Sequence, residues 1–254
     1  MGTGPVSLSG AGGRAGGVRS NKQPPCPRGH VLRGGRTASG RRTAHGAFDA
    51  VVTTITDERS WLSTGCAGWA ARDLVFHCLS DAQRGLVALH TPAGRTPDRD
   101  AVTYWEDWRP DPLGAANGRR FTRAVASMFL RIDQLFELYS RTAAAVVNAA
   151  ASAAPDQPVA TQGHMLNAGD LIRTPAVEAT IHHLDLVVSL PDAPGPSREG
   201  LGQACRTLDG LLGRPVPVPW DDAQYARVAT GRAPLSDTDR DRLGADAARF
   251  PLFA

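Results

Sequence analysis

Along much of this chain the apolar residues return every three or four positions, which is the period of an α-helix packed on one side. Residues 45–62, HGAFDAVVTTITDERSWL, predict a first helix, rich in β-branched residues but too long for one strand. After a short loop, STGCAGW, residues 71–89 (ARDLVFHCLSDAQRGLVAL) form a clear amphipathic second helix. Asp73 falls in its first turn, where a carboxylate favours the helix dipole. Two prolines in TPAGRTPDRDAV end that pattern.

The longest helical pattern runs from about Arg119 to Ala154, with Phe121, Val125, Phe129, Ile132, Phe136 and Tyr139 at the expected spacings. A connecting segment, YWEDWRPDPLGAANG, precedes it, and its Tyr104, Trp105 and Trp108 either anchor the connection or line a pocket. A fourth helix is expected over residues 170–190, starting or kinking near Pro175. Four long helices with little strand signal predict an all-α four-helix bundle. A further helix over REGLGQACRTLDGLLG, a proline-rich PVPVPW, two short helices and a terminal RFPLFA make up a small C-terminal appendage. The expected division is a tail at 1–42, the bundle at 43–196 and the packed extension at 197–254.

Charge sharpens that division. The whole chain carries a formal +3, but residues 1–42 hold eight Lys or Arg, no acid and 11 of the 27 glycines. A segment so poor in large apolar residues is expected to be disordered. The remaining residues carry about −5, so no nucleic-acid partner is expected. No apolar run approaches the roughly 18 residues of a membrane span, so no membrane partner is expected either. The four cysteines, Cys26, Cys66, Cys78 and Cys205, are scattered and point to a reducing cytoplasm. Cys26 and His30 in CPRGH are a weak metal signal in a Gly/Pro-rich stretch that reads first as a flexible tail.

Candidate chemistry lies in VEATIHHLDL, residues 177–186. Val177, Ile181, Leu184 and Val188 keep the apolar period, and Glu178 and His182 stand four apart on another face. Such a pair converges on one cation or simply faces water. His77, on the second helix among Val75, Phe76 and Leu79, would be a third donor if the two helices are neighbours; otherwise it is a core histidine. A His₂Glu set with one open position is the donor set of a catalytic zinc site. His183 points about 100° away from His182, and Asp185 could support a ligand from behind. Cys78 reads as core and Trp69 as a plug before the second helix.

Three stretches in order carry a family resemblance: GCAGWAARDLVFHCLSDAQ, VEATIHHLDL, and TLDGLLGRPVPVPWDDAQYARVATGRAPLS followed by RFPLFA. From about residue 45 onward the chain resembles the mycothiol-dependent maleylpyruvate isomerases, within the DinB-like metal-binding four-helix bundles. The resemblance implies that His77, Glu178 and His182 bind a divalent metal, usually taken as zinc, with an open position for water or a thiol. It implies mycothiol as cosubstrate and an electrophilic small molecule as substrate, the reaction being isomerisation or S-transfer. It matches the family's catalytic arginine to Arg232, with Arg84 and Arg173 as rival anion contacts. Ala70 replaces a hydroxyl residue that many members use to cap the second helix. A metal-stabilised binding or accessory protein, and a metal-water hydrolase, remain alternatives; the oligomeric state, monomer or homodimer, stays open.

Overall fold

The computed structural model describes residues 35–106 and 112–253. The four-helix bundle is built from α1 (Gly35–Val52), α2 (Ala71–Leu89), α4 (Ile132–Ser152) and α6 (Thr174–Leu186). They close a ring in which α1 touches α4 and α6, and α2 touches the same two. Helix α3 (Pro112–Ser127) lies outside the ring against α2. One apolar cluster joins Phe48, Val51, Leu74, Leu79, Leu135, Tyr139 and Leu186, all wholly buried. Among the described residues, no helix is long and apolar enough to cross a membrane.

Helix α2 occupies the span its apolar period predicts. The hydroxyl that Ala70 lacks is replaced from the other side: Ala70 N–H donates to Asp73 Oδ2 at 2.9 Å. The first helix differs from expectation at both ends. It reaches back to Gly35 and stops at Val52, and the rest of the predicted span becomes turns and one 3₁₀ turn, Arg59–Trp61. Of the tail expected to be disordered over residues 1–42, residues 35–42 are instead the first turns of α1, while residues 1–34, with Cys26 and His30, and Trp108 lie outside the described residues.

The single helix expected over 119–154 is two. Helix α3 ends at Ser127, and α4 starts anew at Ile132 after an extended Arg131. The new start is capped from a distance, because Ile132 N–H donates to Asp57 Oδ1 at 3.1 Å. The apolar period runs on across this break, so the pattern alone conceals it. Before α6 the chain makes a hairpin of β1 (Pro158–Thr161) and β2 (His164–Asn167), pairing Val159 with Leu166 and Thr161 with His164. Its two-residue turn, Gln162–Gly163, has both φ angles positive, at 47° and 83°, as a tight hairpin requires. A short α5 (Ala168–Leu171) leads into α6, where Pro175 sits in the first turn and lets the helix run straight on.

Helix α7 (Arg198–Leu212) packs on α6 and α1, and α8 (Asp222–Ala229) packs on α7 and α6. The last α-helix is α9 (Asp237–Leu243), followed by a 3₁₀ stretch, Gly244–Arg249. Leu208, Tyr225, Val228 and Phe253 share one buried cluster with Val146, Ile181 and Leu184 of the bundle. Tyr104 and Trp105 are buried there too, and Trp105 stacks on Phe253 at 4.6 Å. The connection they belong to is thus anchored.

Candidate metal centre

Helices α2 and α6 are neighbours, and that adjacency brings His77 to Glu178 and His182. One donor atom from each lies within 4.8 Å of the other two. The imidazoles of His77 and His182 meet edge to face, with centroids 4.7 Å apart and planes at 86°. Trp69, the residue before the α2 cap, packs its ring on His77 at 4.9 Å. His183 points elsewhere: its Nε2 pairs with the Pro194 carbonyl at 3.0 Å, and its ring meets Phe48.

His182 is held from both ends. Its Nε2 lies 3.2 Å from Glu178 Oε2, and its Nδ1 lies 3.1 Å from Asp185 Oδ2. Asp185 stands three residues on, so a single helical turn supplies the second contact. Arg232 lies just beyond α8 and grips that carboxylate side-on. Its Nε donates to Asp185 Oδ1 at 2.9 Å, and its second terminal nitrogen donates to Oδ2 at 2.9 Å. The other terminal nitrogen donates to the Thr230 carbonyl at 3.0 Å. The rival arginines are engaged elsewhere, Arg84 with Asp81 at 2.6 Å and Arg173 with Asp170 at 3.2 Å.

The electrostatics follow from these contacts. Burial opposes a charge on His182, but hydrogen bonds to Asp185, Cys66 and Glu178 outweigh it and hold the imidazole well above its ordinary pKa. Burial likewise opposes ionisation of Glu178, yet the hydrogen bond and charge of His182 bring it down to about 2. Asp185 is buried too, but His182 and Arg232 hold it far below the carboxylate range. Burial pushes His77 below the usual imidazole value, with Asp81 pulling the other way. The set therefore offers an ionised carboxylate, a neutral imidazole, and a second imidazole whose Nδ1 proton is fixed on a carboxylate. Once the Nε2 proton of His182 is displaced, these are the donors a zinc-like ion takes.

Two residues of this neighbourhood escaped the sequence reading. Asp81 lies four after His77, and its Oδ2 is 3.6 Å from His77 Nε2. That oxygen is buried and has no hydrogen-bond partner. The His-x₃-Asp spacing was available as a signal. Cys66 was not, because it comes from a loop without periodicity. Its thiol donates to Asp185 Oδ2 at 3.1 Å and lies 3.7 Å from His182 Nδ1. Cys66, His182 and Asp185 make a second possible cation cluster. The guanidinium of Arg232 already occupies both Asp185 oxygens and would oppose a cation there, so the set with His77 and Glu178 is the better one. Cys78 is buried, and burial pushes its thiol far up.

The family model for the mycothiol maleylpyruvate isomerase N-terminal domain matches residues 41–187, more than half of the chain. The chain belongs to that family. Its fold is similar to the crystal structure of the mycothiol-dependent maleylpyruvate isomerase, with a TM-score of 0.54 at 18% identity, covering 78% of this chain and 88% of that one. The crystal structure of a histidine-to-alanine mutant of that enzyme matches with the same values. No curated protein matches the chain. The family model ends at residue 187, so it takes in His77, Glu178, His182 and Asp185 but not Arg232.

Proposed function

We propose that the protein is a divalent-metal-dependent enzyme, with zinc the expected ion, that activates a thiol for addition to an electrophilic small molecule. The observation that carries this reading is the convergence of His77, Glu178 and His182 within 4.8 Å, with His182 Nδ1 3.1 Å from Asp185 Oδ2. A bound divalent ion would lower the pKa of a thiol at its open position and so supply a nucleophile at neutral pH. Mycothiol is the thiol the family name suggests, and the reaction would be isomerisation or S-transfer.

The chain's own residues divide the work. His77 and Glu178 present lone pairs, one from each helix. Asp185 holds the His182 ring in the orientation that turns Nε2 toward them. Arg232 keeps Asp185 ionised in a buried place, and in this reading it serves the reaction through Asp185. The bundle, 43–196, would carry the donors, and the extension, 197–254, would carry Arg232. A cytoplasmic setting, with free thiols, goes with this reading.

The deciding experiment is metal analysis of the purified chain beside His77→Ala, Glu178→Ala and His182→Ala, followed by thiol consumption against a panel of activated alkenes. Wild type should hold about one ion per chain and consume thiol, and each variant should do neither. Equal metal in all four would end the proposal. One observation favours a second reading, a metal-holding protein without chemistry. The orphaned Asp81 Oδ2, 3.6 Å from His77 Nε2, would fill the open position if it turned onto the ion. Under that reading Asp81→Asn would weaken metal binding and create thiol affinity; under the first it would leave metal content unchanged.

A further inference from the structure

Beside the candidate centre lies an open groove of about 890 Å³, between α3 and the loop that precedes α2. One wall is a face of α3 carrying Arg119, Arg120 and Arg123. All three are exposed, and none makes an ion pair or hydrogen bond among the described residues. Asp73 is the one acid among the described residues lining the groove, and it is already engaged with Ala70 N–H. Three guanidiniums within little more than one turn repel one another, and among the described residues no acid pairs with them. From residue 43 onward the chain is net acidic, so this positive patch stands against the background of the rest.

The opposite side of the groove includes Cys66 and Trp69. Both also contact the candidate centre, Cys66 through Asp185 and Trp69 through the His77 ring. The groove is thus separated from the converging donors by one layer of side chains, and its volume suits a ligand of small-molecule size. Guanidinium groups pair side-on with carboxylate and phosphate alike.

We propose that this groove binds a small molecule bearing two or more carboxylate or phosphate groups, held by Arg119, Arg120 and Arg123 against the loop that backs the candidate centre. Its place as a substrate subsite rests on the thiol-enzyme reading; anion binding in the groove does not. The test is calorimetric titration at low salt with inorganic pyrophosphate and, separately, succinate. It compares wild type, chelator-treated wild type, the triple variant Arg119→Gln/Arg120→Gln/Arg123→Gln, and a charge-matched control, Arg141→Gln/Arg206→Gln/Arg240→Gln. Wild type should bind at least one probe, the groove variant should lose roughly tenfold or more in affinity, equivalent to about 1.4 kcal/mol, and the control and the chelated protein should bind as wild type does. The tighter probe assigns the anion class. Failure of wild type to bind either probe, an equal loss in the control, or loss on chelation with the groove variant intact would overturn the proposal. Binding through the arginines by a protein that consumes no thiol would leave the groove standing and remove the thiol reading alone.

Discussion

Two charged regions lie back to back in this molecule and follow opposite rules. In the candidate centre the charges are buried or largely so, and paired: Glu178 and Asp185 flank His182, and Arg232 closes on Asp185. In the groove the arginines of α3 are exposed and, among the described residues, unpaired. The difference reflects solvent. An unpaired ion inside a protein costs several kcal/mol, so a buried charge has to bring its partner. An ion in water carries no such penalty and can stay unpaired until a ligand arrives. Substitution should therefore cost stability as well as binding in the centre, and binding alone in the groove.

The largest effect separating the two regions is expected from His182→Ala, which removes one of three donors. Metal content by elemental analysis should fall from about one ion per chain to near zero. Next comes Arg232→Ala, which leaves the Asp185 carboxylate, 1% exposed, without its guanidinium. A loss of about 3 kcal/mol in denaturant unfolding is expected, together with weaker metal binding. An unchanged midpoint would show that Asp185 does not need its partner. Asp185→Asn should be milder for the metal, reducing affinity by about 10–100-fold, as the loss of a carboxylate behind a metal-binding histidine does.

The centre should also respond to pH in a defined direction. In the metal-free protein His182 holds its proton well above the ordinary imidazole value, because two carboxylates flank it. A metal ion has to displace that proton. Affinity should rise with pH through neutrality, and titrations in buffers of different ionisation enthalpy should report about one proton released per ion bound. The same raised pKa stabilises the metal-free fold fully below the imidazole's unfolded pKa of about 6.5. That contribution fades as pH climbs through the folded value, so bound metal should matter most to stability in alkaline solution. The smallest effect is expected in the groove: the triple Arg→Gln variant of α3 should melt within about 1 °C of wild type, or slightly above it, since it removes only repulsion.

The sequence revealed the helices whose apolar stripe faces one core without interruption, and α2 is the clearest, found over the predicted residues. It also put Glu178 and His182 on one face through a fixed helical period and offered His77 as a third donor if the second and fourth helices are neighbours, and the three do converge. What it concealed depends on contacts distant along the chain. The break between α3 and α4 is capped by Asp57, and an apolar period carries no mark of that. The hairpin at 158–167 was hidden because its strands are four residues each, too short for alternation to register. The contact of Arg232 with Asp185 spans 47 positions and has no local signature. Cys66 reached the centre for the same reason, from a loop set in place by Gly65. A Cβ at Gly65 would come within 2.6 Å of Asp185 Oδ1, so the close approach needs a residue without one.

The clasp between Arg232 and Asp185 bears on how modular such proteins can be. The family model stops at residue 187, which invites treating the helices as a self-sufficient unit to which any C-terminal half could be grafted. Here the later half lends a charge to the earlier one. A chimera joining this bundle to a foreign partner would inherit the donors but lose the guanidinium behind them, unless the graft happened to place an arginine at the same spot. A working swap would therefore have to keep this ion pair as well as the buried apolar contact between the two halves.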